Sequence, residues 1–382
     1  MDPGLLNAAI LGNVSFFEGN RGEHLNLKQV TDRGNSILHV AAKFEKSQIM
    51  EKVLERQPSL LYKKNRKGNT ALHIAASLGY FDMTKHLITF AKDKELEKKM
   101  ELVRMTNNVN NTALHEAIIN DHYAIVELLI SEDPVLALFT NNAGDSPLFL
   151  AVDRGFCRIA LHILEAVPKC SYGGRKGMNV LHAAVISRVE REFLCKMLDK
   201  FPQAISEADR DFGWIPLHYA AHLDNEEVVE LFLEKDTSIA YKKDKEGMSA
   251  LHILANEGHL NLMRTLITKC PYTCELLDKK SRTALHLAVK SGNRDVVVIL
   301  LEELAFRDLI NEQDEDGNTP LHLAAINRLY PILMMLADNK RVDNVAMNKK
   351  GMIAADIIQL DKQLPVSEKV SLIKLFIVTI YG

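Results

Sequence analysis

The same order of apolar and polar residues returns about every 34 residues along most of this chain. Each copy begins with a polar turn, continues into a short apolar segment and ends with a second, longer apolar segment. Gly317–Ala325 (GNTPLHLAA) and Gly68–Ala76 (GNTALHIAA) are two clear copies of the first apolar segment. The density of apolar residues in both segments predicts two buried helices per copy. One such pair cannot bury its apolar face alone, so we expect the copies to stack on one another.

A leucine marks each copy, and successive leucines are separated by 34, 42, 34, 33, 36, 34, 34 and 36 residues. The marker leucines are Leu38, Leu72, Leu114, Leu148, Leu181, Leu217, Leu251, Leu285 and Leu321. Degraded copies occur around Leu5 and Ala355, where a terminal repeat would expose one face to water. We therefore predict a repeat array over residues 1–360, with nine clear repeats and a degenerate repeat at each end. The extra residues in the long gap, around 92–100, predict a longer, solvent-exposed helix.

The polar turn of each copy has the residues needed to start a helix. Hydroxyl side chains occupy the expected N-cap in most copies, where they can accept unpaired backbone N–H groups. These caps are Ser36, Thr70, Thr112, Ser146, Ser249, Thr283 and Thr319. A glycine precedes the cap by two residues in most copies and predicts a positive φ angle. Asn110 and Ser281 replace this glycine, and we expect mild strain at Ser281.

A period near 33 residues with the signature Thr319-Pro320-Leu321-His322 resembles the ankyrin repeat. The resemblance recurs nine times and covers roughly residues 3–360. It implies an all-α solenoid of stacked helix pairs with β-hairpin fingers. It also implies that the motif histidine ties each helix start to adjacent loops. The histidines in question are His39, His73, His115, His182, His218, His252, His286 and His322.

Three further segments resemble the plant ankyrin-repeat membrane proteins of the accelerated-cell-death type. They are Arg56–Tyr62, Phe201–Ile205 and Gly213–Ala221. In that family a cytosolic array is followed by a four-span membrane region that opens with Pro-Gly-Gly, and members act in immunity and salt responses. This sequence contains no Pro-Gly-Gly motif. Residues 361–382 form an apolar tail too short to span a bilayer, which predicts a capping helix or the start of a missing membrane region.

Composition, charge and short motifs give further indications about partners, location and chemistry. The net charge of −3 implies no strong field for nucleic acid or membrane. The N-terminal residues show no signal peptide, and the five cysteines have irregular spacing, so we expect a cytoplasmic location, with the cytosolic face of the plasma membrane as the alternative. His115-Glu116 lacks the second histidine of a zinc-protease motif, and Gly173–Gly177 lacks the lysine of a phosphate loop. We therefore expect no catalytic residues, no metal and no cofactor.

The resemblance places partner binding on a long concave surface lined by finger tips and the ends of the first helices. Phe212 and Trp214 flank Gly213 on one finger, and His222 and Leu223 should face the same groove. Basic finger residues should add electrostatic steering of an acidic partner segment. The complete set of expected partner-binding residues is Phe212, Trp214, His222, Leu223, Arg66, Lys67, Arg175, Lys176, Lys279, Lys280 and Arg282.

These observations predict a non-catalytic scaffold for protein–protein interaction. The function that the resemblance implies is that of the cytosolic ankyrin domain of a plant membrane-associated protein in defence or stress signalling. A soluble cytosolic adaptor of another pathway and the regulatory array of an enzyme whose catalytic domain is absent here are the alternatives. The expected partners are proteins on the concave face, with no nucleic acid and with the membrane reached only through a region outside this chain. The array itself is expected to be monomeric and elongated.

Overall fold

The computed structural model describes residues 1–18, 25–94 and 96–381. Contacts between these residues divide the chain into two units, Met1–Leu194 and Cys195–Gly382. The helix α12 (Arg191–Lys200) contains the point of division. Each unit is described by itself below.

The described part of the first unit is helical, and its helices follow the predicted pairs. In chain order they are α1 (Pro3–Leu11), α2 (Ile37–Lys43), α3 (Ser47–Arg56), α4 (Ala71–Leu78), α5 (Phe81–Lys94), α6 (Leu96–Arg104), α7 (Ala113–Ile119), α8 (Tyr123–Glu132), α9 (Pro147–Asp153), α10 (Cys157–Ala166) and α11 (Val180–Ile186). The motif forms α2, α4, α7, α9 and α11, and each of these contacts the next. The motif leucines of this unit are fully buried, because they lie between successive helix pairs.

The second unit repeats the same arrangement. Its helices are α13 (Pro216–His222), α14 (Glu226–Lys235), α15 (Ala250–Glu257), α16 (Leu260–Lys269), α17 (Ala284–Ser291), α18 (Arg294–Glu302), α19 (Pro320–Ile326), α20 (Tyr330–Ala337), α21 (Ala354–Leu360) and α22 (Val366–Tyr381). First helices contact first helices, and second helices contact second helices. Each motif leucine here exposes at most 1% of its surface. The prediction of an all-α repeat fold is therefore confirmed.

The fingers between the helix pairs are turns with almost no regular strand. Two isolated antiparallel bridges, Val30 with Ser36 and Gly173 with Asn179, are the β-pairing found in the described ranges. The glycines before the caps have positive φ angles, as predicted from their position. Ser281 and Asn110, which replace glycine, also have positive φ, 56° and 62°. Ser281 therefore has the positive φ for which backbone strain was predicted.

The inserted segment between the second and third repeats forms the end of α5 and all of α6. The expectation of solvent exposure holds for Lys92, Asp93, Glu97 and Lys98, but one face of α6 is buried. Leu102 and Val103 are fully buried, and Lys99 exposes 6% of its surface. The Lys99 ammonium lies 3.0 Å from the Glu132 carboxylate at the end of α8. Glu95, which lies between the two helices, falls outside the described residues. Apolar and paired charged groups on one face of α6 therefore anchor the insertion to the next repeat.

The C-terminal tail contains α22, which contacts α20 and α21 at the end of the second unit. These contacts are those that a capping helix would make, although the choice between a cap and the start of a membrane region stays a prediction. Within the described ranges, no helix combines the length and the apolar character needed to cross a bilayer.

Candidate functional site

Motif histidines bond to the start of their own helix, and five of them also bond to the next finger, whereas Nε2 of His115 and of His218 has no hydrogen-bond partner among the described residues. In all eight, Nδ1 accepts the backbone N–H of the cap residue, at 3.0–3.3 Å. On the other side of the ring, His39 Nε2 lies 2.8 Å from the carbonyl oxygen of Asn69. The same bond joins His73 to Asn111 and His286 to Asn318. A carbonyl can only accept, so Nε2 carries the proton in these rings. These histidines are structural, as the family resemblance implies.

Burial keeps the motif histidines neutral. Desolvation lowers the pKa of His73, His115, His218 and His286 to about 4, although nearby carbonyl groups partly oppose the shift. Neutral rings at the helix starts contribute no charge to the finger surface. The charge of that surface therefore comes from the lysine, arginine, aspartate and glutamate side chains at the finger tips.

Asparagine side chains form a second set of bonds from finger to finger. Asn65 Nδ2 donates to Asn35 Oδ1 at 2.9 Å, and Asn107 Nδ2 donates to Asn69 Oδ1 at 2.9 Å. Equivalent pairs join Asn141 to Asn111 and Asn348 to Asn318, at 3.1 and 3.0 Å. The acceptor is the residue after the turn glycine, or its replacement, and the donor belongs to the following finger. These bonds hold neighbouring fingers in register.

Four aromatic side chains of the second unit form one group, called here the aromatic cluster: Phe212, Trp214, Tyr219 and His222. The Trp214 ring centre lies 5.4 Å from Phe212, 5.0 Å from Tyr219 and 5.5 Å from His222. Phe212 exposes 57% of its surface, whereas Trp214 and Tyr219 are half-buried. Exposed and half-buried aromatic rings in contact are typical of the centre of an interface. The structure therefore brings together three of the four residues predicted for this patch.

The finger that carries the aromatic cluster is held by Asp209. Its Oδ1 accepts the backbone N–H groups of Phe212 and Gly213, at 2.7 and 3.0 Å. Its Oδ2 accepts the Tyr219 hydroxyl at 2.7 Å. Burial, together with this carboxylate, raises the pKa of Tyr219 well above its usual range. Asp209 therefore fixes both the finger backbone and one ring of the cluster.

Tyr219 was not among the residues predicted from the sequence. It stands two residues after the motif leucine, where other copies carry an aliphatic residue such as Ile74 or Leu150. This replacement of an aliphatic residue by tyrosine was the feature of the sequence that could have identified Tyr219 as part of the cluster. Leu223, which was predicted for the patch, is half-buried just past the end of α13. His222 lies 3.3 Å from Glu257 of the next repeat, so the rim of the cluster is polar.

The predicted basic residues differ in how far they are paired with acids. Arg175 lies 3.2 Å from Asp145 and 2.6 Å from Asp153. Arg282 lies 2.6 Å from Asp278, and its side chain is only 15% exposed. Both guanidinium groups therefore have internal carboxylate partners, which weakens their attraction for an external ligand.

The remaining predicted lysines and arginine lie at exposed finger tips. Lys279 and Lys280 stand between fingers that carry Glu246 and Glu315, and backbone bonds join these fingers. Lys176 occupies a turn position with a φ of 58°. Arg66 and Lys67 are exposed in the first unit. The structure thus does not unite the basic residues with the aromatic cluster in one site of the second unit.

The cysteines and the acidic and histidine side chains bear on chemistry other than binding. The five cysteines are free thiols, and Cys170, Cys270 and Cys274 are buried. Desolvation raises the pKa of Cys274 to about 12, so it is a poor nucleophile. In the described part of the chain, no group of three His, Cys, Asp or Glu side chains is arranged to hold a metal ion.

Comparison with known families gives one match. A family model described as ankyrin repeats (3 copies) matches residues 5–100, 97–172, 181–275 and 251–350. Among solved structures, the ankyrin repeat domain of Bcl-3, a member of the IkappaB protein family, superposes with a TM-score of 0.52 at 24% identity. The match covers 61% of this chain and 99% of that domain. At this identity the likeness supports the fold alone.

Several curated proteins are similar in sequence. Protein ACCELERATED CELL DEATH 6 of Arabidopsis thaliana is 26% identical over 377 residues, which is 94% of this chain and 56% of that protein. The nuclear factor NF-kappa-B p105 subunit of Gallus gallus is 29% identical over 57% of this chain and 23% of its own. Human transient receptor potential cation channel subfamily A member 1 is 28% identical over 58% of this chain and 20% of its own. The chain thus spans about half the length of the plant relative and less than a quarter of the other two.

Proposed function

Because the chain belongs to the ankyrin-repeat family, we propose that it is a protein–protein interaction scaffold that recognises its partner through the aromatic cluster. Repeats of this family stack into scaffolds for protein interaction, and the motif histidines form structural hydrogen bonds here. No enzyme family is among the matches described above.

The observation that carries the proposal is the exposure of Phe212 beside the half-buried Trp214. Aromatic side chains that combine a buried base with an exposed face contribute a large share of the energy in protein interfaces. The surroundings are polar: Asp211 and Lys245 are exposed, and the His222–Glu257 pair lies at the rim. An apolar anchor on the partner, surrounded by polar contacts, fits this arrangement.

We place this scaffold in plant defence or stress signalling, as a cytosolic array associated with a membrane. The support is the similarity to the Arabidopsis protein ACCELERATED CELL DEATH 6, which extends over 94% of this chain. Because this chain spans 56% of that relative, association with a membrane would come through a region outside the present sequence.

Proximity labelling in plant cells tests the interaction. The chain is fused to a promiscuous biotin ligase and expressed as wild type, as Phe212→Ala, and as Tyr272→Ala. Tyr272 is a matched control because it is an aromatic residue of the same unit with 70% exposure, away from the cluster. We expect a set of labelled proteins that Phe212→Ala loses and Tyr272→Ala keeps. Identical sets for all three forms would contradict the proposal.

The membrane part needs a separate test. Sequencing the transcript beyond the codon for Gly382 is expected to show four apolar segments. A transcript without such segments would support a cytosolic adaptor instead, and the interaction test would be unaffected.

A further inference from the structure

A groove of about 600 Å³ lies in the first unit, between the fingers and first helices of the first two clear repeats. Its floor is apolar and is formed by Ile74 and Leu78 of α4. Leu78 is 43% exposed, so its side chain is accessible from the groove. The walls are the finger tips on one side and the end of α2 on the other. This groove is separate from the aromatic cluster, which belongs to the second unit.

The walls of this groove carry four cations and no acid. Arg33, Lys43, Arg66 and Lys67 line it, and all four are exposed. Within the described residues, none of them lies within ion-pair distance of a carboxylate, in contrast to Arg175 and Arg282. The neighbouring acids Asp32 and Glu45 are exposed and do not line the groove. We call this surface the basic groove.

The finger backbones that carry these charges are fixed before any ligand arrives. The Arg66 N–H donates to the Arg33 carbonyl at 3.1 Å, and the Asn108 N–H donates to the Lys67 carbonyl at 3.0 Å. A Cβ atom at Gly68 would lie 2.5 Å from the Asn108 nitrogen, so the fingers approach as closely as glycine allows. A fixed backbone lowers the entropy that binding must overcome.

The basic groove also offers hydrogen-bond donors. Asn35 and Asn69 line it, and each uses its side-chain oxygen to accept a bond from the next finger. That assignment leaves the Nδ2 groups as donors, and no acceptor meets them in the described part of the chain. Two amide donors separated by one repeat suit the carbonyl groups of an extended peptide backbone.

We propose that the basic groove binds an extended acidic peptide segment of a partner protein, with an apolar side chain seated on Ile74 and Leu78. The four cations attract carboxylates, the asparagine donors meet backbone carbonyls, and the apolar floor accepts the anchor. A small anion would use the cations but not the floor. The proposal rests on the interaction function proposed above, and it adds a second surface with a defined ligand chemistry.

The probe is a fluorescein-labelled peptide of Glu-Glu-Leu repeats, with binding measured by fluorescence anisotropy. The whole chain has a net charge of −3, so an acidic peptide gains nothing from the average charge and binding must be local. We expect the wild type to bind this peptide, and a Lys-Lys-Leu peptide to bind much more weakly. Added salt should weaken binding because exposed charges are screened.

Two double variants locate the site. Arg66→Glu with Lys67→Glu reverses two charges at the basic groove and should weaken binding roughly tenfold. Arg264→Glu with Lys269→Glu makes the same charge change at exposed positions of α16 in the second unit and should leave binding unchanged. Leu78→Gln should weaken binding of Glu-Glu-Leu repeats but not of Glu-Glu-Ser repeats. Circular dichroism and urea unfolding confirm that each variant is folded.

Equal weakening by the two double variants would overturn the proposal, because it would assign the effect to net charge. Displacement of a bound peptide by inositol hexakisphosphate with no effect of Leu78→Gln would reassign the groove to polyphosphates and would also overturn it. Phe212→Ala should bind the probe like the wild type. Failure at the basic groove is therefore distinguishable from failure of the function proposed for the aromatic cluster.

Discussion

The Trp214 indole N–H donates to Asp244 Oδ2 at 3.0 Å, across two neighbouring fingers of the second unit. Trp214 follows the turn glycine, and Asp244 opens the next finger. Asn35 and Asn65 are joined at the same two positions in the first unit. The tryptophan thus replaces an asparagine in the finger-to-finger bonds while it contributes the central ring of the aromatic cluster. Trp214 therefore has a structural role in the fingers, and the function proposed above gives it a second role in recognition.

Trp214→Phe should separate these two roles, because phenylalanine keeps an aromatic ring but has no N–H group. The loss of one hydrogen bond to a carboxylate should lower the free energy of unfolding by about 1–2 kcal/mol. Phe212→Ala should change it by less than about 0.5 kcal/mol, since Phe212 is exposed. Urea unfolding followed by circular dichroism measures both. Equal stability of Trp214→Phe and the wild type would show that the bond to Asp244 contributes nothing.

The sequence predicted most of the fold because the repeat places equivalent residues in equivalent environments. The motif leucines, the cap hydroxyls and the motif histidines needed no knowledge of long-range contacts, because each contact recurs one repeat later. The burial of α6 could not be predicted in this way. The insertion occurs once, and its charged residues indicate a solvated helix unless the partners Glu132 and Asp133 of the neighbouring repeat are known.

The candidate site was less predictable than the fold. Position in the repeat placed Phe212, Trp214 and His222 close together, and the rings are in contact. The sequence could not show which basic side chains form ion pairs. Arg175 and Arg282 both pair with acidic side chains whose orientation depends on the folded finger. The grouping of Arg66 and Lys67 with Arg33 and Lys43 likewise required the structure.

Ser281→Gly should stabilise the second unit. Ser281 has a φ of 56°, where glycine has no steric penalty and serine does. Relief of this strain should raise the free energy of unfolding by about 1 kcal/mol. Asn110→Gly is the control, since asparagine tolerates a φ of 62° better and the gain should be smaller. The midpoints of urea unfolding report both, and a lower midpoint for Ser281→Gly would contradict the assignment of strain.

Acid should destabilise the array because the buried histidines are neutral in the folded chain and take up protons when the chain unfolds. Burial lowers the pKa of His73, His115, His218 and His286 to about 4, from about 6.5 in the unfolded chain. The unfolded chain therefore binds more protons between these values. Stability is fully present above pH ~6.5 and is lost as the pH falls towards ~4, by up to ~1.4 kcal/mol per pH unit for each histidine.

Urea unfolding at a series of pH values measures this dependence. His286→Gln should reduce the slope near pH 5, because it removes one of the titrations. High salt should leave the slope largely intact, since desolvation rather than surface attraction causes the shifts. A stability that is constant between neutral pH and pH ~4.5 would contradict the expected loss, whose limits follow from the pKa values.

Arg104→Ala should destabilise the first unit. Arg104 donates two hydrogen bonds to Asp133, at 2.6 and 3.1 Å, and the Asp133 side chain is only 1% exposed. Without the arginine, a buried carboxylate loses its cation, which should cost about 1–3 kcal/mol. Lys98→Ala removes an exposed pair with Glu101 and should change stability by less than about 0.5 kcal/mol. Limited trypsin digestion and urea unfolding compare the two, and equal effects would show that α6 is not anchored through Asp133.

The binding energy of the aromatic cluster can be measured through its own fluorescence, because Trp214 is the single tryptophan of the chain. A partner obtained from proximity labelling should change the emission of Trp214 when its anchor covers the cluster. The acidic probe of the basic groove should leave the emission unchanged, since that groove lies in the other unit.

Phe212→Ala should weaken partner binding roughly thirtyfold, which corresponds to ~2 kcal/mol, because it removes an exposed aromatic face next to the tryptophan. Tyr272→Ala should bind with unchanged affinity, as an exposed aromatic outside the cluster. If the partner binds without any change in Trp214 emission, and with equal affinity to Phe212→Ala, its binding site lies elsewhere on the chain.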